Sequence, residues 1–293
     1  MKRVSIAGHA LAATALAVFT ASAQAEAVVG LTTTNALVRF DSASPTNASS
    51  PINITGLLGS NEQILGIDRR PTTGALFGLG SSGRLYTLST DTGAATFVSL
   101  LTGATLSGTS FGVDFNPMVD RLRVTSNSGQ NLRINVDTGA VIVDGALNGG
   151  ATSLVASAYT PNVAGASAVT LRGISAVNDS LFIQNPPNDG TLVLVGSLGV
   201  DTTGVAGFDI SGTTGMAFAS LTSADTSKTS FYSINLTTGS ASLIGAFGYG
   251  GNTAIAAPLL DIAVTAVPEP GTYALFSAGV LALGAVVRRR RQT

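Results

Sequence analysis

Cysteine and tryptophan are missing from this 293-residue chain, and its one histidine, His9, stands in an apolar N-terminal stretch. Without cysteine there is no disulfide, no thiolate nucleophile and no thiolate metal ligand. With no histidine past position 9, the long middle segment 26–266 holds no Ser-His-Asp triad and no imidazole ligand. Glutamate is scarce there as well, with only Glu26 and Glu62. A glycoside hydrolase needs two carboxylates of separated acidity, so an enzyme of that kind would have to use aspartates. Basic charge is also sparse. The segment carries nine basic and fifteen acidic residues, a net charge of −6. It has no basic stripe, and nucleic acid is not an expected partner.

The two ends are built differently from the middle. Lys2 and Arg3 precede an apolar, alanine-rich run from Val4 to Phe19, and the small-x-small sites Ala21-Ser22-Ala23 and Ala23-Gln24-Ala25 follow it. Residues 1–25 therefore read as a secretory signal peptide cut after Ala25, with Ala23 as the second choice. At the other end stand Val267-Pro268-Glu269-Pro270, an uncharged segment from Tyr273 to Val287, and the cluster Arg288, Arg289, Arg290, Arg291. Two prolines around one residue favour a turn over a helix. As a helix, the apolar segment would span about 22 Å, short for a bilayer core of about 30 Å, and the arginines would hold its end on the cytoplasmic side. This tail, 267–293, resembles the PEP-CTERM sorting signal of Gram-negative bacteria. The resemblance implies an exported protein, held transiently in the inner membrane by the C-terminal span and handed on by the secretion machinery to an exosortase-type membrane protease. Its destination would be the periplasm, the outer surface or the extracellular matrix.

The middle segment repeats itself. One copy runs Ile64–Asp68, Ala75–Leu79, Arg84–Leu88 and Ala94–Leu100, with turn residues between. A second starts at Phe111-Gly112-Val113-Asp114, a degenerate third at Leu154–Tyr159, and a fourth at Gly207-Phe208-Asp209-Ile210. Four short strands per copy, with glycine where the turn needs positive φ, is a hairpin grammar. The turn glycines Gly93, Gly139, Gly190 and Gly239 are spaced by 46, 51 and 49 residues, a blade-sized repeat. Before the first full copy, Val28–Leu31 and Ala36–Phe40 match second and third strands. The missing first strand reappears near the far end as Leu259–Val264. The expected fold is all-β: a β-propeller of five four-stranded blades over 26–266, the C-terminal strand closing the first blade. Six blades, an open β-solenoid or a β-sandwich are the alternatives. The Gly-Ile-Asp, Thr-Gly-Ala-Leu-Phe, Asp-Thr-Gly and Gln184–Gly190 segments resemble a bacterial family known only as a domain of unknown function, often exported, over about 28–266. That resemblance implies no activity.

Each first strand carries an aspartate near its centre, namely Asp68, Asp114, Asp209 and Asp261, and the third copy has Ala158 there. Innermost strands line a propeller channel. These carboxylates would either bind a ligand in the channel or accept backbone hydrogen bonds between blades. No cofactor is expected; an ion in such a ring would have oxygen ligands only, which suits Ca²⁺. The loop Asn185–Gly190 is either a recognition loop or a long hairpin turn in place of Asp-Thr-Gly. Together these features point to an exported, non-enzymatic propeller with a binding or structural role toward extracellular polysaccharide or an envelope protein. The alternative is a secreted glycan hydrolase or lyase using Asp carboxylates.

Overall fold

A computed structural model describes residues 25–266. Ala23, the Val267–Pro270 motif and the Arg288–Arg291 cluster lie outside the described residues. The described chain is all strand and turn, with two short 3-10 turns and no α-helix. Blade 1 holds β1 (Glu26–Thr32), β2 (Ala36–Asp41) and β3 (Ile52–Asn53). Blade 2 holds β4 (Ile64–Arg69), β5 (Leu76–Gly80), β6 (Arg84–Leu88) and β7 (Ala95–Leu100). Blade 3 holds β8 (Phe111–Asn116), β9 (Arg121–Ser126), β10 (Asn131–Ile134) and β11 (Val141–Val143). After the two-residue β12 (Asn148–Gly149), blade 4 holds β13 (Ala156–Thr160), β14 (Thr170–Ser175), β15 (Ser180–Gln184) and β16 (Thr191–Ser197). Blade 5 holds β17 (Ala206–Ile210), β18 (Ala217–Thr222), β19 (Thr229–Ile234) and β20 (Ala241–Ala246).

The last strand, β21 (Leu259–Ala266), returns to blade 1 and pairs antiparallel with β1 in the order β21-β1-β2-β3. The innermost strands then touch in a closed circle, β4 to β8 to β13 to β17 to β21 and back to β4. Five blades and closure by strand exchange are thus as the repeat implies. Among the described residues the ring closes between β1 and β21, from Glu26 to Ala266.

Blade 4 carries one short addition to its four strands. The sheet of blade 4 has five strands, because β12 pairs parallel with β16. The cause is a regular feature of the ring. In the linkers before blades 2 and 3, a residue runs parallel to the outer strand of the next blade: Thr55 bridges Ala94, and Thr102 bridges Ala140. Before blade 4 the bridge extends to two residues. The turn glycines explain why. Gly93, Gly139, Gly190 and Gly239 all have φ between 72° and 82°, and each accepts or touches the preceding blade's last segment. Thr55 N–H donates to Gly93 O, Thr102 N–H to Gly139 O, and Asn148 N–H to Gly190 O. A side chain at Gly139 would collide with the Leu100 carbonyl. The glycine therefore meets two needs at once, the left-handed turn and the close approach of a neighbouring blade.

Burial falls from the axis outward. All residues of β8 and β17 are buried, whereas β11 and β20 expose alternate or successive residues such as Val143 and Leu243. The core consists of layers between blades. Ile67, Tyr86 and Leu88 pack between blades 1 and 2, and Phe77, Phe115 and Val124 between blades 2 and 3. Phe208, Ile210 and Leu181 fill the seam between blades 4 and 5. The closing seam between blades 5 and 1 is aromatic: Phe218 stacks on Phe231 at 5.5 Å, and Phe40 meets Phe231 edge-on at 5.1 Å.

Candidate functional site: the channel carboxylates and the channel mouth

The four aspartates lie on the innermost strands, as the repeat implies, with 1–3% of their surface exposed. Each carboxylate staples its own blade to the next. Phe115 N–H donates to Asp68 Oδ2 at 2.7 Å, and Tyr159 N–H to Asp114 Oδ1 at 2.9 Å. Val264 N–H donates to Asp209 Oδ2 at 2.6 Å, and Ile67 N–H to Asp261 Oδ2 at 2.9 Å. Four of the five seams are thus crossed by a carboxylate. The seam between blades 4 and 5 is not, because Ala158 holds the position and is itself fully buried.

The glycine two residues ahead of the aspartate is part of the same device, and sequence reasoning did not separate it out. A Cβ on Gly112 would lie 2.6 Å from Ser157 N, and one on Gly207 would lie 2.7 Å from Asp261 Cα. Only a bare backbone lets neighbouring inner strands come close enough for the staple to form. The spacing Gly-x-Asp in three of the copies was the available signal.

Asp68, Asp114 and Asp209 each bring one carboxylate oxygen within 4.8 Å of the others; Asp261 is not in that group. Such an oxygen set has the chemistry that suits Ca²⁺. Each of the three also accepts a backbone N–H, and no carboxylate oxygen among them is buried without a partner. Burial pushes all four carboxyls up. Asp68 and Asp114 rise well above the ordinary value, through burial first and their acidic neighbours second. Asp261 also rises well above it through burial, against the pull of the Ile67 and Ile262 N–H groups. Asp209 rises to about 7 through burial, offset by the N–H groups of Val264 and Ile210 and by Arg69.

At one end of the channel is a cavity of about 280 Å³, bordered by Arg69, Pro71, Asn162, Val163 and Thr213, with Thr265 at the exit of β21. Arg69 follows Asp68 on β4. Its Nη1 donates to Gly74 O at 3.0 Å, while its Nε is buried without a partner. Asn162 Oδ1 is likewise buried without a partner. Burial lowers the Arg69 pKa, and the charges of Asp68 and Asp209 oppose that. Arg70, also at the cavity, is committed to Asp120 at 2.6 Å and Asp137 at 2.7 Å.

Two other polar groups prove to be internal fittings. Glu62 accepts from Tyr86 Oη at 2.7 Å, from Gly59 N–H at 2.9 Å and from Ser82 Oγ. Burial raises its pKa, but these bonds and Arg84 lower it by more. The Asn185–Gly190 loop forms part of the seam between blades 3 and 4. Arg123, 1% exposed, donates to Asn188 Oδ1 at 2.9 Å, Asn131 Oδ1 at 2.8 Å, Asp144 Oδ2 at 2.6 Å and Tyr159 Oη at 3.2 Å. Asn131 Nδ2 donates to Pro187 O at 3.0 Å. The sequence marks Arg123 only as a strand residue; nothing local reveals that its guanidinium turns inward.

The family of the domain of unknown function DUF4394 matches residues 36–257, and the PEP-CTERM protein-sorting motif matches residues 266–291. The chain belongs to the DUF4394 family. A search of curated proteins finds no match. Among solved structures, a protein of unknown function from Bacteroides thetaiotaomicron is 14% identical over 78% of this chain and 64% of that one, with a TM-score of 0.48. A putative 6-phosphogluconolactonase from Bacteroides uniformis is 13% identical over 83% and 72%, with a TM-score of 0.38. Hydrazine synthase from Kuenenia stuttgartiensis is 13% identical over 67% of this chain and 51% of that one, with a TM-score of 0.41. In this DUF4394 chain the sorting motif begins where β21 ends and marks the propeller for export. No helix among the described residues is long and apolar enough to cross a membrane.

Proposed function

We propose that this DUF4394 chain is a non-enzymatic exported propeller, cut from its tail by an exosortase-type protease. It would then act at the cell envelope or in an extracellular polysaccharide matrix, binding polymer or an envelope protein through its loops. The observation that carries this reading is the use of the channel aspartates. All four are buried, and each accepts a backbone N–H from the neighbouring blade. A hydrolase needs one carboxylate free to move a proton beside a second at the scissile bond, and the ring offers instead a set of structural acceptors. No cofactor is required for such a role.

Mass spectrometry of the exported protein should find no peptide from Tyr273 to Thr293, and the purified 26–266 body should retain polymer from the host's own extracellular matrix. An intact C-terminus in the mature form would leave a plain anchor in place of a sorting signal. A glycan-cleaving activity lost on Asp68→Asn with folding preserved would replace the binding reading with a hydrolase.

A further inference from the structure

Both ends of the folded ring leave it at one place. Glu26, at the start of β1, pairs with Ala266, at the end of β21, beside the channel mouth, whose wall includes Thr265. Glu26 Oε1 accepts from Thr214 Oγ1 at 2.6 Å in the loop between β17 and β18. Antiparallel strands alternate in direction, so the loops that follow β4, β8, β13 and β17 lie on this same face. They touch one another: Gly165 N–H donates to Pro117 O at 3.0 Å, and Pro71, Val163 and Thr213 border one cavity. The four loops, 70–75, 117–120, 161–169 and 211–216, contain one charge of each sign. Those two, Arg70 and Asp120, are paired at 2.6 Å, and Asp137 on the outer turn of blade 3 is the other partner of Arg70. The same loops leave Met118, Val119, Val163 and Met216 between 36% and 46% exposed. Scattered singly, such residues need no explanation. Here four stand on the loops around the point where the chain leaves toward its tail.

Six residues, 267–272, separate Ala266 from the uncharged segment Tyr273–Val287. Fully extended, they reach about 20–22 Å. A folded body of this length has a radius of gyration of about 18 Å. A tail seated in a bilayer therefore keeps the mouth face near the lipid and the opposite face a body's width away. We propose that, until the tail is cut, the propeller rests mouth-down on the bilayer, with Met118, Val119, Val163 and Met216 in the interfacial layer of the lipid. The inference rests on the reading of 267–293 as a membrane-inserted tail. The loops bring no unpaired charge to that layer, so contact desolvates no lone ion. A body of net charge −6 gains nothing from an anionic surface, and the attraction is apolar. Each half-exposed side chain contributes only part of the roughly 1.5–3 kcal/mol of full burial. A short tether sets an effective concentration on the order of millimolar, so this weak contact suffices while the tail is attached and lets go once it is cut.

The chain has no cysteine, so single introduced cysteines report position without background. Bimane is attached to Met118→Cys or Met216→Cys at the mouth, and to Val177→Cys or Ile255→Cys on the opposite face. Val177, in the turn between β14 and β15, and Ile255, in the linker before β21, are 78% and 68% exposed. Each labelled full chain is reconstituted from detergent into phosphatidylcholine vesicles that carry headgroup nitroxides in both leaflets. The nitroxide should quench bimane at 118 and 216 and leave bimane at 177 and 255 as bright as in nitroxide-free vesicles. A short flexible Gly-Ser insert after Ala266 lets the body turn over while it stays tethered. Quenching at 118 should persist with that insert, and should be lost when Val119→Ser, Val163→Ser and Met216→Ser are added. All four substitutions sites are exposed loop positions, and two labels per face cover a variant that fails to fold. Equal quenching on both faces, stronger quenching at 177 or 255, loss of mouth quenching with the insert alone, or its survival in the serine variant would overturn the proposal. A chain that does not float with the vesicles loses the tail reading and the proposal together. A chain that floats with its mouth labels unquenched loses the proposal and keeps the tail reading.

Discussion

Blade 4 meets its two neighbours by opposite means. Toward blade 3 the apolar layer is thin, with Leu147, Ala151, Leu154, Phe182 and Leu192 only. That seam is held by the Asp114–Tyr159 staple and by Arg123, whose guanidinium bonds Tyr159, Asn131, Asp144 and Asn188. Toward blade 5 the layer is thick and includes Phe208, Ile210, Ile174, Leu181 and Leu221. There the staple position is Ala158 and no carboxylate crosses. Arg172, opposite Ala158 on β14, has buried Nε and Nη1 without partners. The repeat does not need its aspartate at every seam. Where apolar contact suffices the staple can be dropped, and where it is thin a polar network takes its place, with directional bonds setting the relative position of the blades.

The largest effect should come from the seam that the chain ends make. Ending the chain before Leu259 removes the inner strand of blade 1, with buried Leu259, Ile262, Ala263 and Val264. At about 1.5–3 kcal/mol for each large apolar side chain, against a total stability of about 5–15 kcal/mol, that body should misfold or aggregate. Ending at Ala266 should leave the melting temperature of the exported form unchanged. Equal melting temperatures for the two truncations would show that β21 closes nothing.

Next comes the polar seam. Arg123→Ala removes the donor from Asn188, Asn131 and Tyr159 and leaves Asp144 with Arg133 as its remaining ion-pair partner. Breaking a buried charged network in this way costs about 3–5 kcal/mol, to be read as a shift of the urea midpoint. A cost below about 1 kcal/mol would mean that the thin apolar layer alone holds blades 3 and 4 together.

These seams also show what could be read from the sequence. Turn glycines at even spacing, a displaced first strand and an aspartate in four of the five inner strands specify five blades, their closure and the carboxylates of the channel, because each follows from a periodic requirement. The Gly-x-Asp spacing carried the close approach of inner strands as well. Arg123, Asn162 and Arg69 could not be found that way. Each role depends on other segments: Arg123 bonds groups 8 to 65 positions away, and Arg69 and Asn162 line one cavity from different blades. The Asn185–Gly190 loop is unusual in sequence because it fits against Arg123 and Asn131, a constraint that only the assembled seam reveals.

The stapled seams should also respond to pH where the bare one does not. Asp209 rises from an ordinary 3.8 to about 7 in the folded ring, so the folded state holds the proton more tightly than the unfolded chain. The stability this gives is fully present below about pH 4 and is lost as pH rises through about 7. Asp68, Asp114 and Asp261 shift in the same direction. Arg69 opposes the shift of Asp209 and Glu26 adds to it. Glu62, Asp120 and Asp137 are shifted down and act in the other direction, but only below their ordinary values. The melting temperature should therefore be lower at pH 8 than at pH 5, by roughly 2–4 °C for each kcal/mol in a chain of this size. Asp209→Asn should flatten the dependence. A melting temperature that climbs from pH 5 to pH 8 would contradict the burial of the ring.

The smallest effect separates the two arginines of blade 4's seams. Arg123 has a partner for each of its three nitrogens, Nε, Nη1 and Nη2, whereas Arg172 holds two buried nitrogens with none. Burial also lowers the Arg172 pKa, with no acidic group opposing it. A buried donor without a partner costs about 1–3 kcal/mol, and methionine offers a similar length of apolar chain without that cost. Arg172→Met should leave stability unchanged or raise it by about 1 kcal/mol, while Arg123→Met in the other seam should lower it by several times that amount. Paired urea melts of the two variants measure the difference directly. If Arg172→Met is as damaging as Arg123→Met, the seam between blades 4 and 5 is not held by apolar contact alone, and the contrast between the two sides of blade 4 fails.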